Sequence, residues 1–79
     1  MKIRLLYFAV LASAAGCDAE SVRTTCDNAA ELYDELAVRH GFTLERSRLR
    51  VAVNGVFAPW EQCLREGDEV ALLPPVSGG

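Results

Sequence analysis

The chain has 79 residues, enough for one small domain with a barely sufficient hydrophobic core. Hydrophobic residues make up 51% of it and charged residues 24%, which is typical of a folded protein and not of a disordered one. The net charge is −3 and Lys2 is its only lysine, so the surface lacks the basic character that nucleic acid binding requires. No apolar run approaches the ~20 residues of a membrane span. Neither nucleic acid nor a membrane is therefore an expected partner.

The first predicted element is a β-strand over residues 2–9, because its apolar side chains alternate. The alternation assigns two sets of side chains to opposite faces: Ile3, Leu5 and Tyr7 to one, and Arg4, Leu6 and Phe8 to the other. A loop or short helical turn is expected over residues 12–18, followed by a short strand near residues 20–25.

An export signal is the alternative interpretation of the first segment. MKIRLLYFAVLASAAGC has two early cations, an apolar stretch and small residues before Cys17, as at a lipoprotein cleavage site. However, Ala14 stands where such sites usually carry a larger aliphatic residue. Cleavage would also remove the best strand candidate. An exported lipoprotein therefore remains a minor alternative.

The clearest predicted element is a helix between Asn28 and Gly41. Asn28 is a suitable N-cap, Glu31 completes a capping-box-like pattern, and Gly41 stands where a helix commonly ends. His40 falls in the last turn, where a cation suits the helix dipole, and a structural role is expected for it. One apolar stripe lies at helical spacing: Ala29, Leu32, Tyr33, Leu36, Ala37 and His40.

The second half predicts a β-hairpin and a final strand. LRVAVNGVF has Asn54-Gly55 at its turn, with Leu49, Val51 and Val53 expected to face the core. Gly67-Asp68 turns into a strand over residues 69–73 with Val70 and Leu72 inward. The resulting ββαββ order predicts an α+β roll, a mixed sheet of about four to five strands packed on one main helix.

Three arginines precede and enter the hairpin. If its first strand starts early, Arg46, Arg48 and Arg50 share the face opposite the core. Such a row is most often a solvated surface, and otherwise a docking edge for an acidic partner.

The cysteines and the single tryptophan give no sign of a catalytic or metal centre. Cys17, Cys26 and Cys63 are too far apart for C-x-x-C chemistry, and with one histidine they form no zinc pattern, so no metal is expected. Buried or half-buried free thiols in a reducing compartment, the cytosol, are the expected state. Trp60 is expected to be a partly buried anchor under the 56–66 loop.

VAVNG followed by LREGDEVALLPPVSGG resembles the small, sulfur-carrying subunits of molybdopterin synthase, a ubiquitin-like family with the β-grasp fold. The resemblance extends to the IRLLYFA strand and the AAELYDEL helix, and it is most specific from Gly67 to Gly79. One departure concerns the Arg-Glu pair that the family commonly carries after the first strand. Leu11 and Ala12 stand there in this chain, so the family contacts of that loop are in doubt.

The resemblance implies a function for the closing Gly-Gly. An activating enzyme of the ubiquitin-activating type uses ATP to adenylate Gly79, and sulfur then replaces AMP to give a thiocarboxylate. The loaded chain donates this sulfur to a pterin precursor, cyclic pyranopterin monophosphate, to form the molybdopterin dithiolene. The large synthase subunit holds the precursor and supplies the catalytic side chains in a heterotetramer, so this chain is a co-substrate with no bound cofactor.

The sequence also suggests which residues form the folded domain and which form the carrier tail. Residues 1–73 are predicted to form the domain and residues 74–79 a carrier tail. Gly78 and Gly79 lack Cβ atoms and can thread a narrow channel. Pro74 and Pro75 stiffen the exit, and Val76 and Ser77 continue it. An apolar docking face for the large subunit and the activating enzyme is expected on the sheet side away from the helix, formed by Leu6, Phe8, Ala71 and Leu73.

Two related functions share the activated glycine. A thiamine-pathway sulfur carrier has the same fold and ending but typically lacks the LLPPV segment. A protein modifier forms an isopeptide bond to a target lysine instead.

Overall fold

The structure, a computed structural model, describes residues 1–75; the predicted tail residues 76–79 lie outside the described part. Within residues 1–75, five strands, two α-helices and one 3-10 turn follow one another along the chain. In chain order they are β1 (Lys2–Tyr7), α1 (Val10–Ala15), β2 (Ala19–Arg23), α2 (Ala29–His40), the 3-10 turn (Arg46–Arg48), β3 (Arg50–Val53), β4 (Val56–Ala58) and β5 (Glu69–Leu73).

The strands form one mixed sheet in the order β2-β1-β5-β3-β4. β1 and β5 are parallel, and the other three neighbouring pairs are antiparallel. β5, the last strand in sequence, therefore lies at the centre of the sheet between β1 and β3. The predicted α+β architecture, a mixed sheet with one main helix, is confirmed.

The alternation predicted for β1 is confirmed by burial. Ile3, Leu5 and Tyr7 are buried, whereas the intervening side chains are exposed or half-buried. The buried side chains share one core with those of β5 and with the α2 stripe, in which Leu32 and Leu36 are almost completely inaccessible. The helix thus covers one face of the sheet, called the inner face here, and leaves the outer face without a second layer of secondary structure in the described chain.

The ends of α2 form as the sequence predicts. Asn28 Oδ1 accepts a hydrogen bond from the backbone N–H of Glu31 at 2.9 Å, and Glu31 Oε1 accepts one from the N–H of Asp27 at 3.0 Å. Gly41 ends the helix in the left-handed conformation with φ 74°, which glycine adopts without steric cost.

Of the two alternatives predicted after β1, a loop or a short helical turn, the structure has a short helix, which begins two residues earlier than expected. α1 begins at Val10 and carries Leu11 into the core, where 1% of its surface remains exposed. At the position where the resembled family commonly carries an arginine, this chain therefore has a core residue.

The hairpin turn has the predicted geometry, with φ 53° at Asn54 and 84° at Gly55. These two positive φ angles are those of a tight turn between antiparallel strands. Of the three core-facing residues predicted here, Leu49 and Val51 are buried and Val53 is half-buried.

The predicted row of three arginines is wrong, because the strand does not start early. Backbone hydrogen bonds from Arg48 N–H to Glu45 and from Leu49 N–H to Arg46 close a 3-10 turn, and β3 begins only at Arg50. Arg46 lies 3.6 Å from a carboxylate oxygen of Asp34 on α2. Only Arg48 and Arg50 stay beside the outer face.

Candidate functional site

A row of small and apolar side chains crosses the outer face from one edge of the sheet to the other. The strand register fixes its members: Leu6 lies opposite both Ala19 and Ala71, and Ala52 lies opposite both Ala71 and Phe57. This set, called the outer row, is Ala19, Leu6, Ala71, Ala52 and Phe57. The predicted neighbours Leu6 and Ala71 are thus brought together.

An apolar groove lies beside the outer row, toward the end of β5. Phe8, which is 43% exposed, lines this groove of about 440 Å³ together with Leu73, Val10, Leu44, Pro74 and Pro75. The sequence-predicted residues Phe8 and Leu73 therefore share one surface, and it continues directly into Pro74 and Pro75. An aromatic ring left this exposed in so small a domain is typical of an interface.

On the same face of the sheet, the side of the outer row that points away from the tail is polar. Arg4 lies opposite Ser21 on β2 and Glu69 on β5, and its guanidinium lies 4.0 Å from a Glu69 carboxylate oxygen. Sheet surfaces that face water usually carry such residues. The apolar area is therefore bounded on one side and continuous with the base of the tail on the other.

Sequence reasoning missed three members of the outer row: Ala19, Ala52 and Phe57. Phe57 is 64% exposed and stands on the edge strand β4. The sequence does indicate that Ala52 and Phe57 are neighbours. A two-residue turn at Asn54-Gly55 pairs Val53 with Val56, and the next pair along the two strands is Ala52 with Phe57.

The predicted tail is described only at its base. Pro74 is half-buried and Pro75 is exposed directly after β5. The remaining predicted tail residues Val76, Ser77, Gly78 and Gly79 lie outside the described residues, so their roles stay predictions.

A polar cluster joins β1, β2 and the end of α2 on the inner side of the sheet. The Tyr7 hydroxyl donates to Glu20 Oε2 at 2.5 Å, and His40 Nε2 lies 2.6 Å from the same oxygen. Burial of Glu20 by itself would raise its pKa, but the hydrogen bonds from Tyr7 and His40 hold that pKa below its ordinary value. Burial, followed by the hydrogen bond to Glu20, raises the pKa of Tyr7, so its hydroxyl stays protonated. His40 thus has a structural role, as predicted, but its partner is a carboxylate on β2.

The three cysteines are free thiols in different environments. Cys17 and Cys26 are half-buried, as expected, whereas Cys63 is exposed, so the prediction of burial is wrong there. Burial raises the pKa of Cys26, whose Sγ lies 3.5 Å from a carboxylate oxygen of Glu35. That shift disfavours the reactive thiolate. Within residues 1–75, no group of three or more histidine, cysteine, aspartate or glutamate side chains is placed to hold a metal ion.

Trp60 is half-buried against the core, with its ring 5.7 Å from that of Tyr33. Its carbonyl accepts a hydrogen bond from the N–H of Ala30 at the start of α2. The predicted partly buried anchor under the 56–66 loop is confirmed, and its contact with α2 was not predicted. Neither helix of the described chain is long and apolar enough to cross a membrane.

A family model described as the ThiS family matches residues 5–79, which is almost the whole sequence. This chain belongs to the ThiS family. A curated relative from Escherichia coli (strain K12), named "Molybdopterin synthase sulfur carrier subunit", is 35% identical over 80 residues, covering 98% of this chain and 99% of the relative. Membership in this family confirms the resemblance found in the sequence.

Solved structures confirm the β-grasp fold. The small archaeal modifier protein 1 of Haloferax volcanii superimposes with a TM-score of 0.79 at 28% identity, covering 95% of this chain and 98% of that one. A chain from the complex of subunits 1 and 2 of the molybdopterin-converting factor of Helicobacter pylori gives a TM-score of 0.69 at 22% identity, with 100% of both chains covered. At that identity the second match shows the fold alone.

Proposed function

We propose that this ThiS-family chain is the sulfur carrier of a molybdopterin synthase. The observation that supports this most directly is the end-to-end match to the sulfur carrier subunit of Escherichia coli, at 35% identity. The match to the family model also runs through residue 79 and so includes the Gly-Gly ending. Within this proposal the reacting group is the terminal carboxylate of Gly79.

That carboxylate needs activation before it can carry sulfur. Its ordinary pKa is ~3.3–3.7, so at neutral pH it is an anion and a poor electrophile. In the proposed reaction, one of its oxygens attacks the α-phosphate of ATP on the activating adenylyltransferase, and pyrophosphate leaves. A donor that supplies sulfur at the oxidation level of sulfide then attacks the acyl carbon. AMP leaves, and Gly79 becomes a thiocarboxylate.

The thiocarboxylate is the sulfur donor for the pterin precursor, cyclic pyranopterin monophosphate. Each loaded chain brings one sulfur atom, and a dithiolene contains two, so two loaded chains are consumed for each product. The large subunit binds the precursor and provides the groups that move protons. This chain is consumed and reloaded as a co-substrate, and ATP is used only by the activating enzyme.

The tail residues have separate proposed roles. Pro74 and Pro75 direct the chain away from β5 in an extended conformation, and Val76 and Ser77 continue it into the partner. Gly78 and Gly79 pass the narrowest part of the partner's channel, because they have no Cβ atoms. From Pro74 to Gly79 the tail spans at most about 18 Å, at ~3.1–3.5 Å per residue.

The proposed docking surface for the large subunit is the outer face, with Leu6, Phe8, Ala71 and Leu73 at its centre. The support for a protein partner is the exposed apolar groove that continues into the tail. The matched Helicobacter pylori chain is itself part of a two-subunit complex. The cytoplasm, where ATP and reduced thiols are available, is the proposed location.

The decisive experiment measures the intact mass after incubation with ATP, a sulfide source and the cognate adenylyltransferase. The wild-type chain is expected to gain the mass that corresponds to replacing one oxygen by sulfur. It should then convert the precursor to molybdopterin with the large subunit. Deleting Gly79 should abolish both results and leave the melting temperature unchanged, because none of the described core contacts involves that residue. A deletion variant that still supports molybdopterin formation would show that the carrier proposal is wrong.

The same incubation distinguishes the alternatives. Conjugates of higher mass with target proteins would indicate a protein modifier, the function that the matched Haloferax volcanii protein's name suggests. Sulfur transfer to a thiazole synthase, and not to the large subunit, would indicate a thiamine-pathway carrier.

A further inference from the structure

We propose that Arg48 and Arg50 form a cationic rim beside the tail exit, and that this rim docks an acidic segment of the activating adenylyltransferase. The inference rests on the proposed function and deepens it, since it adds a charged contact for the activating enzyme at the border of the apolar outer face. It concerns how the tail is captured and not the chemistry at Gly79.

The strand register places the rim. Arg50 lies directly opposite Leu73, the last residue of β5, so its side chain stands on the outer face next to the point where the tail begins. Arg48 lies on the 3-10 turn just before β3. Both arginines line a groove of about 230 Å³ whose other walls are Ser47, Leu49, Leu73, Pro74 and Pro75. A segment bound in this groove would touch the base of the tail.

The charges of these two arginines are not neutralised within the domain. Arg46 pairs with Asp34 and Arg4 with Glu69, whereas no carboxylate oxygen of residues 1–75 lies within 4.0 Å of the guanidinium nitrogens of Arg48 or Arg50. Instead, the Arg50 guanidinium carbon lies 5.5 Å from the centroid of the Phe57 ring. Such a contact orients the guanidinium and leaves its N–H donors free for a ligand. Within residues 1–75, two arginines without an ion-pair partner therefore stand beside the base of the tail.

The ligand that fits is a peptide segment with carboxylate side chains. Arginine binds carboxylates through two parallel N–H donors, and the leucine and proline walls of the groove suit the aliphatic part of a peptide. The phosphate of a glycyl adenylate forms on Gly79, whereas the walls of this groove extend along the chain only to Pro75. A nucleic acid is disfavoured by the net charge of −3.

The adenylyltransferase fits this rim better than the large subunit does. Exposed charge pairs speed up association and contribute little to the lifetime of a complex. An enzyme that loads one carrier after another needs fast capture and fast release. A long-lived subunit contact is instead expected on the apolar outer face. Arg48 and Arg50 are therefore positioning residues, and they should act on KM and not on kcat.

The test measures steady-state loading of Gly79 by the cognate adenylyltransferase at low and high salt. The double variant Arg48→Glu/Arg50→Glu should raise the KM for the carrier about tenfold at low salt, with kcat little changed. High salt should reduce that difference, because it screens exposed charges. The matched control is Arg23→Glu, the same charge change on the exposed end of β2 at the far side of the sheet.

Each outcome decides the inference. A double variant whose KM and salt dependence equal those of Arg23→Glu overturns it, and so does a loss confined to kcat. If the double variant melts early, the single variant Arg48→Glu is measured in its place, because Arg48 has no ion-pair partner in the described chain. An unchanged KM of that single variant overturns the inference. Failure of the proposed function is recognised separately, because in that case the wild-type chain is not loaded at all.

Discussion

Replacing Phe8 should weaken partner binding, an effect that a substitution in the closed core should not have. An aromatic side chain buries about 200 Å² in all, so the 43% of Phe8 that stays exposed amounts to roughly 90 Å². At about 25 cal/mol per Å², covering it with the large subunit contributes about 2 kcal/mol, so Phe8→Ala should raise the dissociation constant roughly thirtyfold. Leu36 is the matched control, because it is fully buried in the core. Leu36→Ala should cost ~2–5 kcal/mol of stability and lower the melting temperature by about 10 °C or more.

Two measurements on both variants separate the roles. Calorimetric melting of the free domains reports on the core, and isothermal titration with the large subunit reports on the interface. We expect both variants to melt earlier than the wild type, because Phe8 is also more than half buried, but only Phe8→Ala to bind weakly once folded. If Phe8→Ala melts as early as Leu36→Ala yet binds with wild-type affinity, the outer face is not the docking surface.

Two further predictions concern stability. Removing residues 1–16 should leave an aggregating chain, since β1 pairs with both β2 and β5; a soluble, cooperatively melting chain beginning at Cys17 would favour the export interpretation instead. The pKa of Glu20 is lowered in the folded protein, so the folded state binds this proton less readily than the unfolded chain does. The ionised Glu20 carboxylate therefore contributes to stability at pH values above its unfolded pKa of 4.5. That contribution is lost as the pH falls through the folded pKa. Glu20→Gln should therefore flatten the acid side of the unfolding free energy measured by urea titration, and an unchanged pH profile would contradict the role assigned to the cluster.

The parts of the fold that the sequence predicts are those set by local chemistry. The β1 alternation follows from the two faces of a strand, and the limits of α2 follow from Asn28 and Gly41. The 3-10 turn was not predictable from alternation, because Arg46, Leu49 and Arg50 suit either conformation and the choice depends on where β3 meets β5. α1 was expected only as a possible helical turn, because Ala9 offers no side-chain cap and the helix has six residues.

The candidate site likewise contains residues that a local sequence pattern predicts and residues that it does not. Leu6, Ala71 and Leu73 could be assigned to one face from alternation alone, whereas Phe8 follows the end of β1 and shares a groove with Leu73. The extension of that surface to Ala19, Ala52 and Phe57 needs the register of four strand pairs. The Tyr7–Glu20–His40 cluster depends on residues that are 13 and 20 positions apart, and no local pattern indicates such a contact.

The central position of β5 has a consequence for synthesis of the protein. β1 is made first, but one of its two neighbours is β5, the last strand within residues 1–75, so the sheet cannot be completed until residues 69–73 have left the ribosome. Contacts this distant in sequence are also the slowest to form during folding. A nascent chain interrupted before β5 has therefore neither a closed sheet nor a carrier end. Under the proposed function, loading at Gly79 therefore acts on chains in which β5 has already been made.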